Sequence, residues 1–184
     1  MRPSHDEYAL RIAEVVASRS TCLRRSVGCV LTNARHQVLA TGYNGRAAGL
    51  PHCNEEDYGA AYGASSWGKS EAELDVDIAM YPHRCAGAQA ASGTNLDACE
   101  AIHAEQNALL QCRDVYQIET CYVTVSPCVT CVKLLLNTSC KRIVFRERYA
   151  HDKAANKLWM PDSNEPDDEL LYPNYGREWK CLED

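Results

Sequence analysis

The sequence contains no apolar run of 18 residues, so no transmembrane helix is expected. It also lacks a basic excess. Nineteen Lys and Arg against 25 Asp and Glu leave a net charge of −6 and a pI near 5.5. That balance, with no basic-aromatic strip, argues against a large nucleic-acid footprint. The opening stretch, Met1-Arg2-Pro3-Ser4-His5-Asp6-Glu7, lacks the apolar core of a secretory signal, so a cytoplasmic location is the expectation. No internal repeat is visible, and 184 residues suffice for one domain with a real core.

Cysteine is what the chain has in quantity. Eleven is a high and odd count. A secreted disulfide scaffold is one reading, but the chain is long for that class and shows no signal. Reduced thiols, metal ligands and buried cysteines fit better. Spacing singles out two short pieces: His103-Ala104-Glu105 and, after 21 intervening residues, Pro127-Cys128-Val129-Thr130-Cys131. Cysteines three apart on a helix present both thiols to one side. Pro127 suits a first helical turn, and a helix N-terminus favours the thiolates that zinc needs. If His103 opens a helix over 102–112, its imidazole joins Cys128 and Cys131 while Glu105 reaches the fourth position. Three protein ligands and one place left for water is the arrangement of a catalytic zinc. Two thiolates largely neutralise the ion, so a base has to assist, and Glu105 is the only carboxylate in the motif.

The remaining patterning predicts an α/β fold, a three-layer sandwich around a mixed sheet of about five strands. Residues 6–19 read as an amphipathic helix capped by Ser4 or Asp6. Strands over 27–32 and 37–43 form a hairpin across Asn33-Ala34-Arg35-His36. Cys29 reads as a plain core residue. A third strand at 119–126 leads to a helix over 129–136 and a fourth strand at 140–146, so those two strands should be parallel with a right-handed crossover. A short helix is placed at 70–78, and 170–181 adds a short strand or helix. The 57-residue stretch 46–102 is too long for a structureless loop and needs something to pin it. The polar stretch 161–168 reads as a solvated acidic loop.

H-x-E followed by P-C-x-x-C is also the signature of zinc-dependent nucleobase deaminases. The chain resembles the cytidine deaminase superfamily, and more closely the deoxycytidylate (dCMP) deaminases. The narrower resemblance rests on Thr21-Cys22-Leu23-Arg24-Arg25, Val27-Gly28, Thr41-Gly42-Tyr43-Asn44-Gly45, Pro51-His52-Cys53 and Ile102-His103-Ala104-Glu105-Gln106-Asn107-Ala108. It runs from about Asp6 to Tyr149. It implies hydrolysis of dCMP to dUMP and ammonia, feeding dTMP synthesis, with Glu105 as proton shuttle. The long insertion at 46–102 also looks like the dCMP deaminases. By the same resemblance Asn44 bonds the sugar, the Ala104 backbone bonds the pyrimidine edge, the Ser126 carbonyl meets the exocyclic amine and Tyr149 closes the site. Arg24, Arg25 and Ser26 are the nearest basic cluster for the 5′-phosphate. Cys22, Cys53, Cys85 and Cys99, with His83 or His52 as possible substitutes, are the candidates for a second, structural zinc that pins the insertion.

The resemblance further implies a homo-oligomer, commonly a hexamer, activated by dCTP with Mg²⁺ and inhibited by dTTP. Gly42, Tyr43, Asn44, Gly45 and Asn107 match the regulatory nucleotide site. Rival readings are an RNA or single-stranded DNA deaminase, a non-catalytic zinc-stabilised binding protein, and a disulfide-rich secreted protein. Neither membrane nor nucleic acid is an expected partner.

Overall fold

The computed structural model of the chain describes residues 1–50, 52–53, 94, 99–160 and 176–182. The helix expected at 70–78 and the loop at 161–168 lie outside these residues. Helix α1 spans His5–Ala17, and Ser4 Oγ caps it by accepting from Glu7 N at 3.1 Å. Strands β1 (Gly28–Thr32) and β2 (Val38–Tyr43) form the expected antiparallel hairpin. Its turn is closed by Asn33 Oδ1, which accepts from Arg35 N and Gln37 N.

Helix α2 (Ala104–Gln111), strand β3 (Thr120–Val125), helix α3 (Val129–Leu136) and strand β4 (Arg142–Glu147) follow. A helix α4 (Asp152–Trp159) and an edge strand β5 (Glu178–Cys181) complete the described elements. The sheet order is β2-β1-β3-β4-β5. The β3–β4 and β4–β5 pairs are parallel and the others antiparallel. The mixed sheet with helices on both faces is the expected α/β fold.

Period-two alternation sorts the sheet's side chains between its faces. Val30, Tyr122 and Val144 pack with Ala9, Leu10 and Ala13 of α1. Cys29, Leu31, Cys121, Val123, Ile143 and Phe145 face the other way, onto α2, α3 and α4. Cys29 is therefore a core residue as expected, with its sulfur 3.6 Å from that of Cys121. The ten described cysteines are all free thiols.

Helix α4 was not anticipated from the polar composition beyond Tyr149. It is held by two side chains one turn apart, Ala155 and Trp159, both fully buried, and by the Trp159 indole N–H donating to Glu178 O at 3.1 Å. The alternatives left open for 170–181 resolve at its end as β5.

Glycine makes close packing possible on each face. A Cβ at Gly28 would lie 2.0 Å from Ala13 O of α1, and one at Gly42 would lie 2.3 Å from Ala104 O and 2.4 Å from Ala108 N of α2. Both ends of the 46–102 stretch are tied together. Gly45 and Ile102 exchange backbone hydrogen bonds, and Arg46 pairs with Glu100.

Candidate active site

Two helix N-termini meet at the α2–α3 side of the sheet. His103 is the N-cap of α2 and Cys128 is the N-cap of α3. Gln106 reaches back from the first turn of α2 to accept from His103 N at 2.9 Å. The expected helix start at Ile102 thus falls two residues later, and His103 is in extended backbone. This frees its imidazole to point at α3. His103 Nδ1 lies 3.5 Å from Cys128 Sγ and 3.4 Å from Cys131 Sγ. Among the described residues, these three form a group whose potential ligand atoms lie within 4.8 Å of one another.

The donor set fits zinc. Bond lengths of about 2.3 Å to sulfur and about 2.05 Å to nitrogen at a tetrahedral angle put the S and N atoms about 3.6 Å apart, close to the two separations found. The electrostatics agree with a cation site. Contact with Cys131 lowers the Cys128 thiol to about 4 against its burial, and His103 adds to that shift. Cys128 in turn raises the His103 imidazole, while burial pulls it down. Cys131, beside the Cys128 thiolate and buried, is pushed up. A metal ion is the natural replacement for the proton such a triad would otherwise share.

Glu105 follows on the first turn of α2 and is 4% exposed. Burial raises its carboxyl, with His103 opposing. A carboxyl raised in this way holds a proton more readily than an exposed one.

A cavity of about 200 Å³ opens beside the triad. Its wall includes His103, Ala104, Glu105, Ser126, Cys128, Asn44, Arg24, Arg25 and Tyr149. Most of the residues singled out from the sequence for substrate are therefore gathered in one place. Ser26 is not: it is exposed and forms no part of that wall. The loop turns Arg25 inward instead, with its Nη1 buried and 4.0 Å from Glu147 Oε2. Arg24 Nη2 donates to Thr94 O at 3.2 Å. Ser126 joins the end of β3 to the segment after β4, donating from its N to Glu147 O and accepting from Tyr149 N at its Oγ, both at 2.8 Å.

The residues matched to a regulatory nucleotide have internal roles here. Gly42 receives the α2 backbone. Asn107 Nδ2 donates to Tyr43 O at 2.8 Å. Gly45 holds the neck of the 46–102 stretch. Asn44 Nδ2 donates to Arg25 O, and its Oδ1 accepts from Val27 N, each at 2.7 Å.

Of the four cysteines considered for a second metal, Cys85 lies outside the described residues. Contact with Cys99 lowers the Cys22 thiol to about 5, and both residues line the same cavity. Cys53 is buried. Among the described residues, Cys22, Cys53, Cys99 and His52 do not form a second three-ligand cluster.

Comparison with known proteins decides the family. The "Cytidine and deoxycytidylate deaminase zinc-binding region" model matches residues 3–147. The chain belongs to this family. The deoxycytidylate deaminase of Schizosaccharomyces pombe is 34% identical over 159 residues, and that of Mycobacterium phage D29 is 36% identical over 148. The first match covers 85% of this chain but 41% of the yeast protein; the second covers 78% and 95%. The Saccharomyces cerevisiae deoxycytidylate deaminase is 32% identical, with 42% of its length covered, so the chain spans about two fifths of either yeast relative. The crystal structure of a dCMP deaminase from cyanophage S-TIM5 shares the fold, with a TM-score of 0.57, 19% identity and coverage of 99% and 100% of the two chains. The family is a zinc-binding one, and His103, Cys128 and Cys131 are the cluster in this member suited to that ion. No described helix is long and apolar enough to cross a membrane.

Proposed function

We propose that the protein hydrolyses dCMP to dUMP and ammonia. One observation carries this reading: a His–Cys–Cys triad with tetrahedral spacing lines a cavity through His103 and Cys128, and the buried Glu105 carboxyl shares that wall. A purely structural zinc would have no use for Glu105 there. His103, Cys128 and Cys131 would hold Zn²⁺, which supplies Lewis acidity and lowers the pKa of water at the site. Glu105 accepts the water's proton and delivers it to N3 of the pyrimidine as oxygen adds at C4. It then helps protonate the departing amine, so water and dCMP yield dUMP and ammonia. The Ala104 backbone and the Ser126 carbonyl hold the base edge, and Tyr149 covers it.

The choice of a monophosphate is supported by Arg24 and Arg25 in the wall, and by relatives named deoxycytidylate deaminase. The S-TIM5 enzyme has been crystallised with dCMP and dUMP. Asn44 retains one amide proton for a sugar hydroxyl after its bond to Arg25 O. In this reading the product feeds dTMP synthesis. Regulation by dCTP with Mg²⁺ and by dTTP, a hexameric assembly, a cytoplasmic location and a second zinc involving Cys22, Cys53, Cys85 and Cys99 complete the proposal.

An ammonia-release screen of cytidine, deoxycytidine, CMP, dCMP and dCTP, with and without dTTP, tests it. The expected result is turnover strongest on dCMP and sensitive to dTTP. No ammonia from any of the five would end the proposal. Elemental analysis should find two zinc atoms per chain, falling to one when Cys22 and Cys53 are both replaced; a single zinc in the wild type would remove the structural ion.

A further inference from the structure

The segment between α1 and β1 contributes Cys22, Arg24, Arg25 and Val27 to the cavity wall, yet it has neither helix nor strand to hold its path. Its path is set by one carboxamide from the end of β2. Asn44 Nδ2 donates to Arg25 O and its Oδ1 accepts from Val27 N, while Asn44 N donates to Val27 O at 3.2 Å. The carboxamide is itself braced by a residue that the chemistry has not used. Ser20 Oγ lies 2.7 Å from Asn44 Oδ1 and 2.9 Å from Asn44 O, and it accepts from Cys22 N at 3.3 Å.

The two ends of the amide are told apart by Val27 N–H, which can only donate, and by the Arg25 carbonyl, which can only accept, so Oδ1 faces Val27 and Nδ2 faces Arg25 O. The Ser20 hydroxyl adds a second donor at Oδ1. Without it, Oδ1 keeps the Val27 N–H alone, and the clasp on the Arg25 backbone loosens. Among the described residues Arg25 Nη1, the buried end of a side chain that is otherwise 38% exposed, finds no hydrogen-bond partner, and Glu147 Oε2 lies 4.0 Å away. A buried guanidinium N–H without an acceptor is costly, and an anionic ligand oxygen is the acceptor it suits best.

We infer that Ser20 is a specificity-determining positioning residue: through Asn44 it fixes the Arg25 loop so that the guanidinium meets the anionic group of a nucleotide. This rests on the nucleoside monophosphate reading above. Ser20 touches no substrate. Its effect is largest on ligands that carry a phosphate, smaller on those that offer Asn44 only a sugar, and absent from the pyrimidine chemistry.

The test is steady-state ammonia release by Ser20→Ala and Ser20→Thr on dCMP and deoxycytidine, with inhibition by dUMP and deoxyuridine measured alongside. Loss of one hydrogen bond predicts a KM for dCMP, and an inhibition constant for dUMP, raised about 2- to 10-fold in Ser20→Ala. kcat on dCMP should be unchanged, the two nucleosides, which meet Asn44 only at the sugar, should weaken less than the two nucleotides, and Ser20→Thr should restore the wild-type numbers. Equal losses with and without phosphate, or an unchanged KM for dCMP, would overturn the inference. If Ser20→Ala does not fold, Ser20→Val against Ser20→Thr gives the same comparison in isosteric side chains. A wild-type protein inactive on dCMP defeats the underlying reading; an active one indifferent to the hydroxyl defeats only the role of Ser20.

Discussion

Replacing Gly42 by alanine places one methyl group between β2 and the helix that carries His103 and Glu105. The added Cβ would lie 2.3 Å from Ala104 O and 2.4 Å from Ala108 N, both backbone atoms of α2 that no rotamer change can move aside. Ordinary contact begins near 3.4 Å, so α2 has to retreat by about 1 Å. Overpacking of this kind costs about 1–3 kcal/mol. The retreat also opens the 3.4 and 3.5 Å separations between His103 Nδ1 and the two sulfurs, and moves Glu105 with them. A displacement of about 1 Å at reacting groups costs about 100-fold in turnover. The matched control is Gly28→Ala, which drives a Cβ to 2.0 Å from Ala13 O of α1 on the opposite face. It should destabilise as much while leaving the active-site helix in place. The assays are thermal unfolding, zinc per chain, kcat and KM. Gly42→Ala should lower Tm, zinc occupancy and kcat together, whereas Gly28→Ala should lower Tm and, through the loop between α1 and β1, raise KM, with zinc occupancy and kcat unchanged. A Gly42→Ala enzyme with wild-type kcat, or a Gly28→Ala enzyme that loses turnover equally, would refute the claim that β2 positions the site.

Glu105→Gln should keep its zinc and lose about 10²- to 10⁴-fold or more in ammonia release, read by elemental analysis and initial rates. Removing zinc with a chelator should abolish turnover and lower Tm, because the ion binds the folded triad and has no preformed site in the unfolded chain; re-adding Zn²⁺ should restore both. Acid stability should depend on Asp6. Burial raises its carboxyl, but hydrogen bonds from Lys180, Tyr122 and Arg142 outweigh this and bring it from the ordinary 3.8 to about 2. Because the folded value is the lower one, its contribution is full above about pH 4 and is lost as pH falls toward 2. Asp6→Asn should cost about 1.5–3 kcal/mol at pH 7 in a denaturant titration, with the difference from wild type shrinking in acid.

Local chemistry was legible in the sequence, and long-range packing was not. H-x-E and P-C-x-x-C could be read because each ligand sits at a helix start, where spacing alone decides which way the side chains face. The sheet could be read because β1 and β3 are nearly continuous buried runs and β4 centres on the buried Ile143-Val144-Phe145, as strands under two layers of helices must. Helix α4 escaped although Ala154, Ala155, Leu158 and Trp159 recur at helical spacing, because the segment is only eight residues long and stands in a polar context. Its fully buried pair, Ala155 and Trp159, is matched to a surface that only the folded sheet creates.

The G-Y-N-G turn shows why the residues of a motif are understood only in three dimensions. Gly and Asn after a strand read as a turn, or, by resemblance, as a nucleotide loop. In the fold every one of these residues binds another part of the site. Gly42 admits the active-site helix, the Tyr43 carbonyl takes a hydrogen bond from Asn107 of that helix, Asn44 clasps the arginine loop and Gly45 closes the neck at Ile102. The turn is thus the junction at which the zinc-ligand helix, the arginine loop and the base of the 46–102 stretch are held at fixed distances. In the proposed regulation, an effector bound at this turn would act on the triad and the arginine loop through these same contacts. That coupling needs no separate regulatory machinery, only contacts already made by four consecutive residues.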